Sequence, residues 1–309
     1  MRNKSRVSAV VILTLVLALS PLTGLAQDQD GSVESAGTIF QFGTDAKSLA
    51  MGGSFVAVAD NYSATYWNPA GLSQVKGAKL GGMNLKPYDI SKLNFTYFGG
   101  AYTFEGVSIG GAYGGFNAPL DDAYQHTGQY SSYSENMFLL STAFGIGFAD
   151  IGANVKRYSF GDAAGYGFDV GILASFNSFR FGLSAADIGG SRVGDVGTTG
   201  STVDPSYRLG AAFPIMDAFL LSAQLDLIGD QQVVRAGMEI KPFEQLALRA
   251  GVAVPGDRGL SISGGAGLSL AGLQVDVAWV QNNTGFADQA GNTLVLSAGF
   301  QFGAGQMTG

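Results

Sequence analysis

The chain holds one histidine, His126, and no cysteine. His126 sits among Asp121, Asp122, Tyr124, Tyr130 and Tyr133. A nucleophilic triad needs an imidazole held between a carboxylate and a hydroxyl. No spacing here sets up that relay, so His126 reads as a solvated loop residue. One His and no Cys leave no ligand set for a transition metal and no disulfide framework. No phosphate-binding loop or dinucleotide fingerprint is present. The chain therefore reads as no enzyme, with neither metal nor cofactor. Its net charge of −7 argues against nucleic acid as a partner. What the neighbourhood of His126 offers instead is aromatic surface. Phe116, Tyr124, His126, Tyr130 and Tyr133, in an expected loop 116–134, suit the capture of a hydrophobic small molecule.

The elements that position this loop are strands. From about Gly77 to Phe302 the chain repeats runs near ten residues that alternate apolar with small or polar residues. That period of two gives each strand one apolar and one polar face. In 218–227, Phe219, Leu221, Ala223, Leu225 and Leu227 oppose Ser222, Gln224 and Asp226. The same split recurs at 233–241, 272–280 and 293–302. Fourteen strands are expected, at 77–86, 93–102, 106–115, 135–146, 149–158, 167–177, 179–188, 206–213, 218–227, 232–241, 245–254, 260–269, 272–281 and 292–302. The even number suits a bacterial single-chain barrel. Ten tilted residues span roughly 25 Å, the height of an outer-membrane apolar band.

Two further patterns agree. Connections after even-numbered strands are short, whereas 116–134, 159–166, 189–205 and 282–291 follow odd-numbered ones, with 228–231 and 255–259 as two short exceptions. Tight turns at one end and longer loops at the other are what a membrane barrel carries. Phe176, Phe179, Phe213, Phe219 and Phe302 mark the apolar face at the short-turn end, and Phe168, Tyr207 and Trp279 mark it near the other. Such bands resemble interfacial girdles. A soluble sandwich or propeller explains neither the loop parity nor the uniform strand length. The expected fold is thus all-β, a transmembrane antiparallel β-barrel, with outer-membrane lipids as its surroundings.

The ends fit export. Arg2, Lys4 and Arg6 precede the apolar run Val7 to Leu19, and Gly24-Leu25-Ala26 offers a cleavage site. This reads as a signal peptide over 1–26, too short for a comfortable helical span. The remaining division is a plug segment at 27–75, the barrel at 76–303 and a tail at 304–309. The polar face carries Asp150, Asp169, Asp226, Glu239 and Asp276 against Lys156, Arg180, Arg208, Arg235 and Arg249. Balanced signs suit a lumen whose charges pair with one another or with a plug. The compact segment 36–73 is the natural occupant. Asp45 is placed to cap a short helix ending at Gly52-Gly53. Phe55 to Ala59 reads as a small strand, and Asn68-Pro69-Ala70-Gly71 as a turn.

The run Met51-Gly52-Gly53-Ser54-Phe55-Val56-Ala57-Val58-Ala59-Asp60, with Tyr66-Trp67-Asn68-Pro69-Ala70-Gly71-Leu72, resembles the N-terminal signature of PorV/PorQ-type proteins. These belong to the FadL-like group of outer-membrane barrels. Lys47 and Asn61 stand where that pattern has Arg and Asp. The resemblance implies fourteen strands around a luminal hatch, here with Phe55, Tyr66, Trp67, Asn68, Pro69 and Gly71. In the FadL group the hatch gates hydrophobic molecules. Some PorV/PorQ members instead serve type IX secretion, with secreted proteins as partners. Gly110, Gly111, Gly114 and Gly115 offer either a lateral opening in the third strand or close packing of the hatch against the wall.

Overall fold

A computed structural model describes residues 35–36, 43–87, 93–119, 132–194, 201–215, 218–255, 259–282 and 292–303. The expected leader and tail, and Tyr124, His126 and Tyr130, lie outside them. The barrel strands are β1 (Ala78–Leu85), β2 (Asn94–Phe104), β3 (Val107–Pro119), β4 (Ser132–Gly145), β5 (Ala149–Phe160), β6 (Ala163–Phe176) and β7 (Phe179–Ala186). They continue as β8 (Ser206–Ile215), β9 (Phe219–Ile228), β10 (Gln231–Phe243), β11 (Leu246–Pro255), β12 (Ser261–Leu270), β13 (Leu273–Asn282) and β14 (Asn292–Phe302). Each pairs antiparallel with its sequence neighbours. β14 returns to β1, from Val295 opposite Leu85 to Phe302 opposite Ala78, and closes the sheet. Closure satisfies every edge, which a sheet standing in lipid requires.

The pattern of exposure is inside out. In β4, Leu140 is 70% exposed whereas Leu139 beside it is 5%. Leu221, Val234, Leu248, Val277 and Leu296 face outward, while Ser222, Asp226, Glu239, Asp276 and Ser297 are buried inside. Apolar side chains turned away from a polar interior belong to a transmembrane barrel. No helix among the described residues is long and apolar enough to cross a membrane.

Two expected loops are shorter than the sequence implied. β3 and β4 stay paired up to Pro119 opposite Ser132, so Phe116 and Tyr133 are strand residues. β5 and β6 run to Phe160 opposite Ala163, which cuts 159–166 to two residues. In both places backbone groups at the strand tips find partners, although Gly165, Gly167 and Pro119 interrupt the side-chain alternation. Three short strands were not anticipated. Ser191–Val193 and Ser201–Val203 form an antiparallel pair beside β5 and β6, where Val193 pairs with Gly165, and Ser35–Ala36 adds to it in parallel.

Candidate functional site

Residues 43–75 are enclosed by the strands and make contact with their inward faces around the barrel. Helix α1 (Ala46–Ala50) begins at Asp45, whose carboxylate accepts from Ser48 N at 2.6 Å. The same carboxylate takes the Ser63 hydroxyl and Asn61 Nδ2, so it ties the start of the segment to its middle. Gly52 and Gly53 end the helix with φ of 68° and 73°, a region open to Gly at little cost. Helix α2 (Ala64–Trp67) leads into a 3₁₀ turn, Pro69–Gln74. Phe55–Ala59 is not the strand its apolar run suggested. Val58 N and Ala59 N both return to Phe55 O, and Phe55 N and Val56 N both donate to Gln224 Oε1 of β9. With its N–H groups taken by turns and a side chain, the segment has no ladder to join.

The wall side chains satisfy the segment's backbone. Asn154 donates to Thr65 O at 2.6 Å, Ser222 to Ser54 O at 3.0 Å and Ser263 to Ala50 O at 3.1 Å. Arg235 reaches Gly52 O at 3.0 Å and Arg208 reaches Tyr66 O at 3.2 Å. Asn68 accepts from Ala70 N while its amide donates to Val56 O and to Ile172 O of β6. Where strand and segment approach most closely, Gly is required. A side chain at Gly152 would strike Pro69 and Ala70, and one at Gly251 would strike Met51 and Gly52.

The charges are paired among themselves. Arg249 bonds Glu239 and Asp276, each at 2.6 Å, and Arg235 bonds Asp226 at 2.7 Å. Lys156 bridges Asp169 and Asp187 at 2.7 and 2.6 Å. Asp187 also accepts from Tyr158 and Ser191, and so fastens the residues that lead into the short strand Ser191–Val193. Within the segment Lys47 holds Asp60 at 2.7 Å. Burial pushes the Asp60 carboxyl up, but Lys47 and Lys79 outweigh it and hold the group well below the usual carboxylate range. Burial also works against the charged form of Lys47, yet Asp60 and Glu239 raise it above the ordinary lysine value. Asp45 is raised, chiefly by burial.

An apolar cluster lies on one side of the lumen, beside buried Ser108, Glu135 and Ser141. Met83, Leu85, Phe95, Tyr97, Phe116, Met137, Leu139 and Val295, from β1–β4 and β14, form one buried cluster. Val193 and Val203 of the short strand pair belong to it, as does Tyr62 of the plug. Tyr97 meets the plug through its hydroxyl, 2.6 Å from Thr65 Oγ1, and its ring stacks on Tyr62 at 6.4 Å. Sequence reasoning missed this wall, except Phe116. Its signal was the run Met137-Phe138-Leu139-Leu140, apolar on both faces at once.

Of the expected site residues, Phe55, Trp67, Asn68, Pro69 and Gly71 are buried within the plug, and Tyr66 packs against Trp67. Arg208 lies over both rings. Gly110, Gly111, Gly114 and Gly115 lie in an unbroken ladder, with Gly110 opposite Ala101 and Ser141. Gly110 faces inward, where a side chain would meet Thr65 and Leu72 at 3.1 Å. Gly111 faces outward into an open apolar depression of about 700 Å³, shared with Leu80, Phe98 and Phe300. A second cavity, about 200 Å³, lies at the short-turn mouth between β13, β14 and β1. Among the described residues no cluster of His, Cys, Asp and Glu is placed to hold a metal ion.

Fourteen strands closed in lipid around a lumen filled by the chain's own 43–75 segment define an occluded transmembrane β-barrel. Its fold is similar to that of the Ralstonia pickettii toluene transporter TbuX, at 13% identity and TM-score 0.58, over 86% of this chain and all of that one. The P. putida toluene transporter TodX matches at 12% identity and TM-score 0.59, over 84% of this chain and 99% of the other. The CymD monoaromatic hydrocarbon channel matches at 14% and 0.59, over 84% and 98%. The likeness is one of fold. No family model matches the chain. No curated protein matches it either.

Proposed function

We propose that the chain is an outer-membrane channel for passive transport of small hydrophobic molecules, with residues 43–75 as its hatch. The observation that carries this reading is the division of the lumen. Polar strands hold the plug by hydrogen bonds, while Met83, Phe95, Phe116 and Met137 pack as an apolar wall beside it, which we assign as the solute's track. Such a track lets a hydrophobic solute leave water at every point of its path. The fold shared with toluene and monoaromatic hydrocarbon channels supports the reading. Capture is assigned to 116–134, with Phe116, Tyr124, His126, Tyr130 and Tyr133. Gating is assigned to Phe55, Tyr66, Trp67, Asn68, Pro69 and Gly71. Release sideways at Gly110, Gly111, Gly114 and Gly115 requires rungs of a continuous ladder to part, so we assign the axial path past the plug. No catalytic step is involved.

Uptake of toluene into liposomes tests this, comparing the intact chain with one lacking 36–73. Faster flux without the segment is expected, and equal flux sinks the reading. The resemblance of Met51–Asp60 and Tyr66–Leu72 to PorV/PorQ-type proteins favours a second reading, docking of secreted proteins on the outer loops. A co-purifying protein lost on trimming 116–134 and 189–205 would decide for it.

A further inference from the structure

The plug is held unevenly. Toward the polar strands, Asn154, Ser222, Gln224 and Ser263 bond its backbone directly. Each such bond shifts an equilibrium by roughly two- to tenfold, and several of them multiply. Departure of the whole plug is therefore a costly route for a solute. Toward β1–β3 the wall is small instead. Gly81, Gly99 and Gly110 face inward, and Tyr62, Thr65 and Leu72 fill the space their side chains would take. Tyr97 of β2 stands on the long-loop side of Gly99, fully buried, with Met83 and Gly114 as its cross-strand partners. Its hydroxyl lies 2.6 Å from Thr65 Oγ1. The Thr65 hydroxyl has one hydrogen and gives it to Tyr62 O at 3.0 Å. Tyr97 is therefore the donor, and the bonds run from Tyr97 to Thr65 to the backbone of Tyr62. That backbone is fixed on either side, since Asn61 and Ser63 both bond the Asp45 carboxylate. What is left to move between the apolar cluster and the glycine-lined wall is two rings, Tyr62 and Tyr97, stacked at 6.4 Å.

We propose that Tyr97 is the latch of the channel and Thr65 its catch. A solute passes when the Tyr97 hydroxyl leaves Thr65 and the two rings part, while the rest of the plug stays bonded to the polar strands. A hydrocarbon offers no group to replace the broken bond, so the bond opposes its passage at full strength. The inference rests on the channel reading and narrows its gate from the whole plug to one hydrogen bond between wall and plug.

The test is toluene uptake into liposomes carrying the full chain, Tyr97→Phe, Thr65→Val or both changes together. Tyr97→Phe keeps the ring and removes the donor. It is expected to raise flux about fivefold, the strength of one neutral hydrogen bond. Thr65→Val removes the catch and should do the same. The double variant should gain no more than either single one, because the same bond is lost once. Amide hydrogen exchange across 46–58 should stay as slow in Tyr97→Phe as in the unsubstituted chain, since those residues remain tied to the polar strands. Equal flux in all four chains overturns the proposal, as does a double variant whose gain is the product of the two singles. Faster exchange across 46–58 in Tyr97→Phe overturns it too, because the plug then moves as one body. No flux in any chain sinks the channel reading and the latch together. Flux that is present but indifferent to the substitutions sinks the latch alone.

Discussion

The ring of Tyr62 occupies the space that a side chain at Gly81 would need, and its Cε1 and Cδ1 atoms lie where that Cβ would go. Gly99 and Gly299 cup the same residue from the neighbouring strands. Tyr62 belongs both to the apolar cluster above and to the lining of the mouth below. It is thus the stopper between the two. Gly81→Ala should crowd the ring and cost about 1–3 kcal/mol, as overpacking commonly does. Tyr62→Ala should raise the flux of an apolar solute and also cancel much of the cost of Gly81→Ala. A double-mutant cycle on thermal unfolding checks this. Strictly additive effects would show that the two sites are not in contact.

Gln224 is the pivot of the opposite side. Its Oε1 takes two consecutive plug N–H groups, from Phe55 and Val56, at 2.8 and 2.7 Å. Gln224→Met keeps the length and removes the acceptor. Each orphaned N–H then costs about 1–3 kcal/mol. Amide hydrogen exchange should rise across 54–60 before the barrel strands loosen. Unchanged protection there would mean that the plug is held by packing alone.

These two residues also mark what sequence can and cannot tell. Gln224 lies on the polar side of a clean alternation, so its strand and its inward face were legible. Its partner was not, because Val56 lies 168 positions away. Phe55–Ala59 looked like a strand for the same reason, since local β-propensity is blind to a distant acceptor. Asp45 was legible as a cap because capping is local chemistry. The strands β1–β4 were hardest to read. There the lumen wall is as apolar as the lipid face, and alternation cannot separate two greasy sides. Asp187 escaped the count of luminal charges because alternation along the expected strand 179–188 puts it on the apolar face with Phe179, whereas β7 ends at Ala186 and Asp187 turns inward with a φ of 52°.

The Lys47–Asp60 pair gives the plug a pH window. Asp60 is depressed in the folded chain, so its contribution is present above the ordinary carboxylate value of about 4 and is lost as pH falls through its lower folded value. Lys47 is raised, so its contribution is present below about 10.4 and is lost as pH climbs through its folded value. Asp45 acts in the opposite sense, since a raised carboxyl loses stability as pH rises past the unfolded value. The thermal unfolding temperature should therefore decline below pH ~4, and Lys47→Met should shrink that acid limb by returning Asp60 toward its ordinary value. An acid limb of the same size in the variant would assign it to other carboxylates.

Lys156 should control the 187–203 connection rather than the barrel. Its ammonium sits between Asp169 and Asp187, all three nearly excluded from solvent. Asp187 adopts a φ of 52°, uncommon for a residue with a side chain, and its backbone N–H donates to Asp169 at 2.9 Å. Lys156→Met leaves two buried carboxylates facing each other, and breaking such a pair costs about 3–5 kcal/mol. The cheapest relief is for Asp187 to swing out to water. That movement would carry away Ser191, which bonds it at 2.7 Å, and with it Val193 from the apolar cluster. The strands β5 and β6 would keep their ladder from Ala149 to Phe160. Limited proteolysis should then cut within 187–205 at least tenfold faster than in the unsubstituted chain, while the heat-dependent gel shift of the barrel stays in place. Lys156→Arg, which retains the charge, should restore most of the resistance. If proteolysis and the gel shift change together, the pair supports the whole wall and not the connection above it.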